Sequence, residues 1–228
     1  MASSAANVRP VVTEEPAPAA SVVRMPAPAP ATVSVPVSGS ALLLIDVIND
    51  LAFDGADALV AGAEVMAESL AAFKRRASAA GIPAIYLNGA FGRWTPDFRQ
   101  TVAHCTARMS PGHLVSSLLR PTSRDYFVPK PKHSGFFETG LEMLLERLRT
   151  RRLIITGIAG DVGVLFTAND AYMRDFELVV PEDCTVSATA EDNAHALRQI
   201  ATVMKGQVAP SADLRFNAGR AADLVRHP

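Results

Sequence analysis

Cysteine is scarce in this chain, and several other features that would indicate a definite function are missing. The 228 residues include two cysteines, Cys105 and Cys184, too far apart to suggest a disulfide framework or a metal-binding spacing. The formal net charge is −1, with no basic block and no acidic tail, which argues against nucleic acid or a charged membrane surface as a partner. No apolar run approaches the length of a membrane span. The scarcity of cysteine fits a protein of the reducing cytosol best.

Several motifs of common active sites are absent as well. The sequence contains no G-x-x-x-x-G-K-[ST] phosphate loop, no G-x-G-x-x-G dinucleotide fingerprint and no G-x-S-x-G nucleophile elbow. The five histidines show no ligand spacing such as H-x-x-x-H; they are His104, His113, His133, His195 and His227. We therefore predict neither a metal nor a cofactor.

Composition divides the chain into two parts. Residues 1–38 are rich in Pro and Ala and hold seven of the sixteen prolines, so they favour neither helix nor sheet and have little to bury. A targeting peptide is disfavoured because prolines and Glu14-Glu15 interrupt any apolar core of such a signal. We predict a disordered leader over 1–38 and a single folded domain over 39–228, which is long enough to bury a full core.

Short apolar runs alternate with amphipathic stretches throughout the second part. This alternation is typical of βαβ units with right-handed crossovers, and it predicts an α/β fold: a doubly wound, mostly parallel sheet with helices on both faces, in three layers like a Rossmann fold. The predicted strands are 41–45, 82–87, 125–128, 153–155 and 176–180, and the main predicted helices are 57–80, 97–109, 113–119, 139–148, 162–174 and 191–205.

Asp46 ends the first predicted strand. The run 41–45 is apolar at every position, which is typical of a strand buried on both faces. A carboxylate at the end of such a strand is costly to bury without a partner, so Asp46 is a candidate site residue. The alternative is that it merely caps a turn.

Lysines follow the third strand in the segment PKPKHSGFF. Two prolines hold the backbone extended there, and both Lys130 and Lys132 are candidates for a site lysine. The residues alone leave this choice open. An earlier loop contains the only tryptophan, Trp94, which either lines a pocket or packs within its loop.

The segment 152–168 reads as strand, tight turn and helix, and we expect the chemistry to lie there. Ligands of open α/β sheets bind at the carboxyl ends of the strands, where helix N-termini offer unpaired N–H groups. Asp161 is placed to cap the helix that follows the turn.

Three ordered segments together resemble the isochorismatase-like hydrolase superfamily, which includes nicotinamidases, N-carbamoylsarcosine amidohydrolases and isochorismatases. They are ALLLIDVINDLAF, KPKHSGFFETGLE and LIITGIAGDVGVLFTANDAYMRDFELVVPEDC, and the resemblance covers about Ser40 to Pro210. It implies that Asp46 is the catalytic aspartate and that Lys130, four residues before the serine, is the site lysine rather than Lys132. It also implies a cis peptide at Ile158-Ala159.

The chain departs from this family where its amidases have their nucleophile. Their helix begins with a cysteine in a pattern like TGxATDxCV, whereas this sequence has Gly163 in TGIAGDVGV. Glycine has no atom that can attack a carbonyl, so the covalent Asp-Lys-Cys mechanism is unavailable.

The resemblance then leaves several functions open. The first is a hydrolase without a covalent step, in which Asp46 serves as general acid or base on a vinyl ether or a small amide and Lys130 is its electrostatic partner. The alternatives are an inactive binding or assembly protein and a Cys-to-Gly variant of a cysteine amidohydrolase. We expect a homo-oligomer. The predicted substrate contacts are Asn49, Trp94, Phe136, Ile158 and Ala159.

Overall fold

The computed structural model describes residues 32–89 and 97–218. Its strands are β1 Val33–Pro36, β2 Ser40–Ile45, β3 Ala84–Gly89, β4 Tyr126–Lys130, β5 Arg152–Ile158, β6 Glu177–Pro181, β7 Thr185–Val186, β8 Gln207–Ala209 and β9 Leu214–Asn217. Its α-helices are α1 Asp57–Ala79, α2 Phe98–Cys105, α3 His113–Leu118, α4 Leu141–Arg147, α5 Leu165–Tyr172 and α6 Ala190–Thr202. A π-helical turn, Gly160–Val164, precedes α5. In the described part of the chain, no helix has the length and apolarity to cross a membrane.

The main sheet has seven strands, and every pair in it is parallel. The order is β4-β3-β2-β5-β6-β8, with β7 beside the end of β5. The predicted doubly wound α/β fold is confirmed. The strand order reverses between β2 and β5, and in sheets of this type a crevice for ligands opens at that point, at the carboxyl ends of the strands.

Helices cover both faces of the sheet. Because side chains alternate along a strand, Leu42 and Leu44 of β2 face the layer of α1, whereas Leu43 and Ile45 face the layer of α4, α5 and α6. All six residues of β2 are buried, as the continuous apolar run predicted. This packing fixes the position of Asp46, the next residue.

A small second sheet changes the predicted boundary of the leader. Strand β1 lies within the predicted 1–38 leader but pairs in parallel with β9, and Val35 is fully buried. The Arg76 side chain of α1 donates hydrogen bonds to carbonyls near β9, at Ser211 and Leu214. The predicted end of the leader at residue 38 was wrong because the Pro- and Ala-rich composition gives no sign of an edge strand. Pro36 is tolerated there as the last residue of the strand. Residues 1–31 lie outside the described part.

Candidate active site

Asp46 and Lys130 form an ion pair at the carboxyl edge of the sheet. Asp46 follows β2, Lys130 ends β4, and Lys130 Nζ lies 2.5 Å from Asp46 Oδ2. The other carboxylate oxygen, Oδ1, accepts a hydrogen bond of 3.1 Å from the backbone N–H of Gly89, the last residue of the intervening strand β3. Asp46 has a φ of 50°, an uncommon left-handed conformation that turns the chain directly after β2. Three strands therefore fix the carboxylate.

Burial sets the electrostatics of this pair. The Lys130 side chain is 5% exposed and that of Asp46 is 23% exposed. Loss of water raises the pKa of the Asp46 carboxyl above its ordinary range, and the Lys130 ammonium opposes this rise. Lys130 Nζ also donates to the carbonyl of Lys132 at 3.2 Å. The Asp46 carboxyl therefore holds a proton more readily than the carboxyl of an exposed aspartate does. When it loses the proton, the Lys130 ammonium stabilises the carboxylate.

Gly163 lies directly against this pair. A Cβ placed at Gly163 with ideal geometry would be 3.5 Å from Asp46 Oδ2. It would also lie 2.9 Å from Ile45 Cγ2 and 3.1 Å from the carbonyl oxygen of Ile158, which is closer than side chains normally pack. The residue that the resemblance assigns to the nucleophile is thus adjacent to Asp46, in a space that would have to widen for any larger side chain.

The turn between β5 and α5 has an unusual backbone. The peptide between Ile158 and Ala159 is cis, as the resemblance implies. The Val162 and Val164 amides both donate to the carbonyl of Ala159. Among the described residues, the Ala159 amide has no acceptor. This N–H remains available to an oxygen atom of a ligand.

Asp161 does not cap the helix, contrary to the prediction. The chain enters a π-helical turn at Gly160, so Asp161 lies within the first turn, and the residue before that turn, Ala159, has no side-chain cap. The Asp161 amide donates to Ser187 Oγ at 3.0 Å. Its buried Oδ1 has no hydrogen-bond partner within the described residues.

The loop after Asp46 is held by two neighbouring segments. Asn49 Oδ1 accepts from the Leu51 amide at 2.9 Å, and the Ser116 hydroxyl bonds both backbone groups of Asn49. Asn88, the penultimate residue of β3, donates to the carbonyl of Ile48 at 2.8 Å. The side-chain oxygen of Asn49 is therefore engaged within its own loop, and its predicted substrate contact stays a prediction.

The structure places the other predicted site residues in different surroundings. Phe136 is 6% exposed and packs against Phe176 and the Arg174 guanidinium, so its position gives no support to a substrate contact. Trp94 lies outside the described residues. Ile158 and Ala159 border Gly163, and their substrate contacts stay predictions. Of the two candidate lysines, Lys130 is in the ion pair, and Lys132 is exposed.

Residues that the sequence did not indicate also border the site. Gly89 contributes its N–H to Asp46, and the rings of His133 and Phe166 lie 5.5 Å apart, one on each of the two segments next to the ion pair. The hydrogen bond from Gly89 to Asp46 follows from the strand register, which sets Gly89 opposite Lys130 and which the sequence does not show. Among the described residues, no three His, Cys, Asp or Glu side chains are grouped so that they could hold a metal ion.

Comparisons with known proteins identify the family of the chain. The family model of the Isochorismatase domain matches residues 40–213. The uncharacterized isochorismatase family protein YaaI of Bacillus subtilis (strain 168) is 40% identical over 168 residues, covering 74% of this chain and 92% of YaaI. The ureidoacrylate amidohydrolase RutB of Enterobacter sp. (strain 638) is 35% identical over 178 residues, covering 67% of this chain and 77% of RutB.

Solved structures give the same result for the fold. An isochorismatase family protein from Desulfovibrio vulgaris superposes with a TM-score of 0.62 at 26% identity, covering 77% of this chain and 95% of that one. A cysteine hydrolase from Pseudomonas syringae superposes with a TM-score of 0.64 at 23% identity, covering 83% and 96%. By its sequence and its fold, the chain belongs to the isochorismatase family of hydrolases.

Proposed function

We propose that this protein hydrolyses a small molecule without a covalent intermediate, with Asp46 as the proton-transfer group and Lys130 as its electrostatic partner. The observation that supports this most directly is the position of Gly163. Its ideal Cβ would lie 3.5 Å from the Asp46 carboxylate, so the group that transfers protons borders the place of the nucleophile, where glycine supplies none. Water is then the nucleophile.

One form of this chemistry uses Asp46 as an acid. A protonated Asp46 donates its proton to the carbon of a vinyl ether, water adds to the resulting oxocarbenium ion and returns a proton to the Asp46 carboxylate, and the hemiketal collapses to a ketone and an alcohol. The raised pKa of Asp46 supports this route because it favours the protonated carboxyl. Lys130 stabilises the carboxylate that remains after proton transfer.

The other form uses Asp46 as a base. The carboxylate removes a proton from water, the hydroxide attacks an amide carbonyl, and the same proton passes to the leaving nitrogen. The similarity to ureidoacrylate amidohydrolases supports a small amide of this kind. The free N–H of Ala159 supports it too, since an amide donor stabilises the charge that develops on the carbonyl oxygen.

A different class of function also has an observation in its favour. The crowding at Gly163 by Ile45 Cγ2 and the Ile158 carbonyl favours a binding protein whose chemistry has been lost. In a Cys-to-Gly variant of an otherwise intact amidohydrolase, Gly163→Cys would restore both thiol alkylation and amide turnover. An inert Gly163→Cys protein would argue against that origin.

The first experiment compares two substrates with the unmodified protein and with Asp46→Asn. Pyruvate release is measured with isochorismate, and substrate loss is measured by chromatography with ureidoacrylate. Turnover of either one that depends on Asp46 supports the proposal and identifies the route. Turnover that survives Asp46→Asn would remove Asp46 from the mechanism, and binding of both without turnover would favour the binding protein.

Location and assembly belong to the same proposal. Both cysteines are buried and unpaired, which supports a reducing, cytosolic compartment. We expect a homo-oligomer, which sedimentation would test.

A further inference from the structure

Two aromatic side chains stand together on the segments that follow Lys130 and Gly163. The ring centroids of His133 and Phe166 lie 5.5 Å apart with an interplanar angle of 54°, a tilted arrangement that aromatic pairs favour. Both residues are exposed, and Phe166 is 52% exposed although phenylalanine is usually buried. We refer to His133 and Phe166 as the ring pair.

Each ring belongs to a segment that builds the site. His133 follows Lys130 by three residues, and the Lys130 ammonium bonds the carbonyl of Lys132, so the residue before His133 is held at the ion pair. Phe166 lies about one helical turn after Gly163. The positive charge of a protonated His133 lowers the pKa of Asp46, which places this ring within electrostatic reach of the carboxylate.

Hydrogen bonds connect the two segments next to the ring pair. The Gly135 amide donates to Thr167 Oγ1 at 3.0 Å, and Ser134 Oγ donates to the Asp170 carboxylate at 2.5 Å. Thr167 in turn donates to the carbonyl of Gly163 at 2.7 Å. The spacing between the rings is therefore set by the fold before any ligand arrives, which reduces the entropy that binding must cost.

The charges around the site determine what the ring pair can bind. Lys130 is already engaged by Asp46 and by the carbonyl of Lys132. The His133 ring nitrogens, in contrast, make no hydrogen bond to any described residue. Histidine offers an N–H donor in both protonation states and a positive charge when protonated, and an exposed aromatic face favours flat, conjugated molecules.

We propose that the ring pair determines substrate specificity by selecting a small, planar molecule that bears a carboxylate: His133 binds the carboxylate, and Phe166 contacts the flat face. This inference rests on the proposed function because it names the substrate class of the same site. It adds two specificity residues that neither take part in proton transfer nor touch the ion pair directly.

Binding of two matched probes tests the proposal without any turnover. The probes are sorbate, a planar carboxylate, and sorbamide, its uncharged analogue, titrated against the full chain by saturation-transfer NMR. We expect His133→Gln to weaken sorbate binding about fivefold or more, as loss of a charge-assisted hydrogen bond does, and to leave sorbamide nearly unchanged. Phe166→Leu should weaken the binding of both probes. Phe166→Tyr, which keeps an aromatic ring, should bind both probes as the unmodified protein does.

Two control variants complete the design. His195→Gln changes an exposed histidine of α6 whose ring contacts Gln199, and it should affect neither probe. Lys132→Met removes the adjacent exposed cation. If Lys132→Met, and not His133→Gln, abolishes the preference for sorbate, the proposal is overturned; equal losses for both probes in His133→Gln would also overturn it, since they indicate packing.

The outcome is independent of catalysis. Selective sorbate binding that depends on His133 supports the ring pair even if isochorismate and ureidoacrylate are not turned over. Turnover that depends on Asp46, together with equal affinity for sorbate and sorbamide, would support the hydrolase and reject the ring pair.

Discussion

Lys130 Nζ lies 2.5 Å from Asp46 Oδ2, although the two residues end strands that are not neighbours in the sheet. The pair spans the end of β3, and Gly89 of that strand holds the second carboxylate oxygen through its backbone. No heavy atom of the described residues would lie within 4 Å of a Cβ at Gly89, and the contribution of this residue to the site is its N–H. The carboxylate is therefore fixed from two sides and keeps its orientation in the absence of a ligand.

Replacing Asp46 with Asn should abolish hydrolysis while the protein stays folded. Proton transfer by a positioned side chain contributes about 10²- to 10⁴-fold to a rate, and an amide cannot replace it. The measurement is kcat on whichever substrate is turned over, with a thermal melt to confirm folding. Asp54→Asn, at an exposed aspartate, is the control and should retain full activity. Wild-type activity in Asp46→Asn would refute the assignment.

The pH profile should distinguish an acid from a base. Burial raises the pKa of Asp46, and its protonated form persists below that pKa. If Asp46 is an acid, kcat/KM falls as the pH rises through this pKa; if it is a base, kcat/KM rises over the same range. Lys130→Met removes the opposing charge and should move the inflection to higher pH, whereas Lys130→Arg and Lys132→Met should leave it in place. An inflection that stays unchanged in Lys130→Met would show that another group titrates.

A side chain at position 163 should couple to Ile45. Overpacking costs about 1–3 kcal/mol, and the crowded methyl here is the Cγ2 of a buried Ile45. We expect Gly163→Cys to lower the free energy of unfolding and Ile45→Leu, which has no Cγ2, to relieve part of that loss. A double-mutant cycle by urea denaturation measures this coupling. Strictly additive effects on the free energy of unfolding would show that the contact between residue 163 and Ile45 is not destabilising.

Strand β1 should contribute to stability. A deletion of residues 1–38 removes β1 and exposes the partners of Val35, whose burial contributes about 1.5–3 kcal/mol. We expect this deletion to lower Tm by several degrees relative to a deletion of residues 1–31. Val35→Ala in the full chain should reproduce part of the loss. Equal melting temperatures for the two deletions would show that the pairing of β1 with β9 contributes little.

The central strands and the fold class could be predicted from the sequence because they depend on local pattern. The apolar run of β2 and the acid that ends it predicted both a buried strand and the place of Asp46. The choice of Lys130 over Lys132 needed the family resemblance, since neighbouring lysines in an extended segment have the same local pattern. The resemblance selected Asp46 and Lys130, and these two residues form an ion pair in the structure.

Other features depend on contacts between distant segments and leave no local pattern. Strand β1 is a strand only because β9, nearly the whole domain away in sequence, pairs with it. Asp161 looks like a helix cap, but the Ser187 hydroxyl and a π-helical turn determine its surroundings. The exposed Phe166 gave no signal at all, because a phenylalanine in an amphipathic helix is ordinarily part of the core.

The crowding around Gly163 has a consequence for evolution. Glycine and cysteine codons can differ by a single base, so one mutation can introduce a thiol at this position. The Ile45 methyl and the Ile158 carbonyl occupy the margin that a Cβ needs, and a thiol at this position would therefore arrive with a loss of stability. In a protein with this packing, a second change that makes room beside Ile45 would favour the acquisition of a nucleophile.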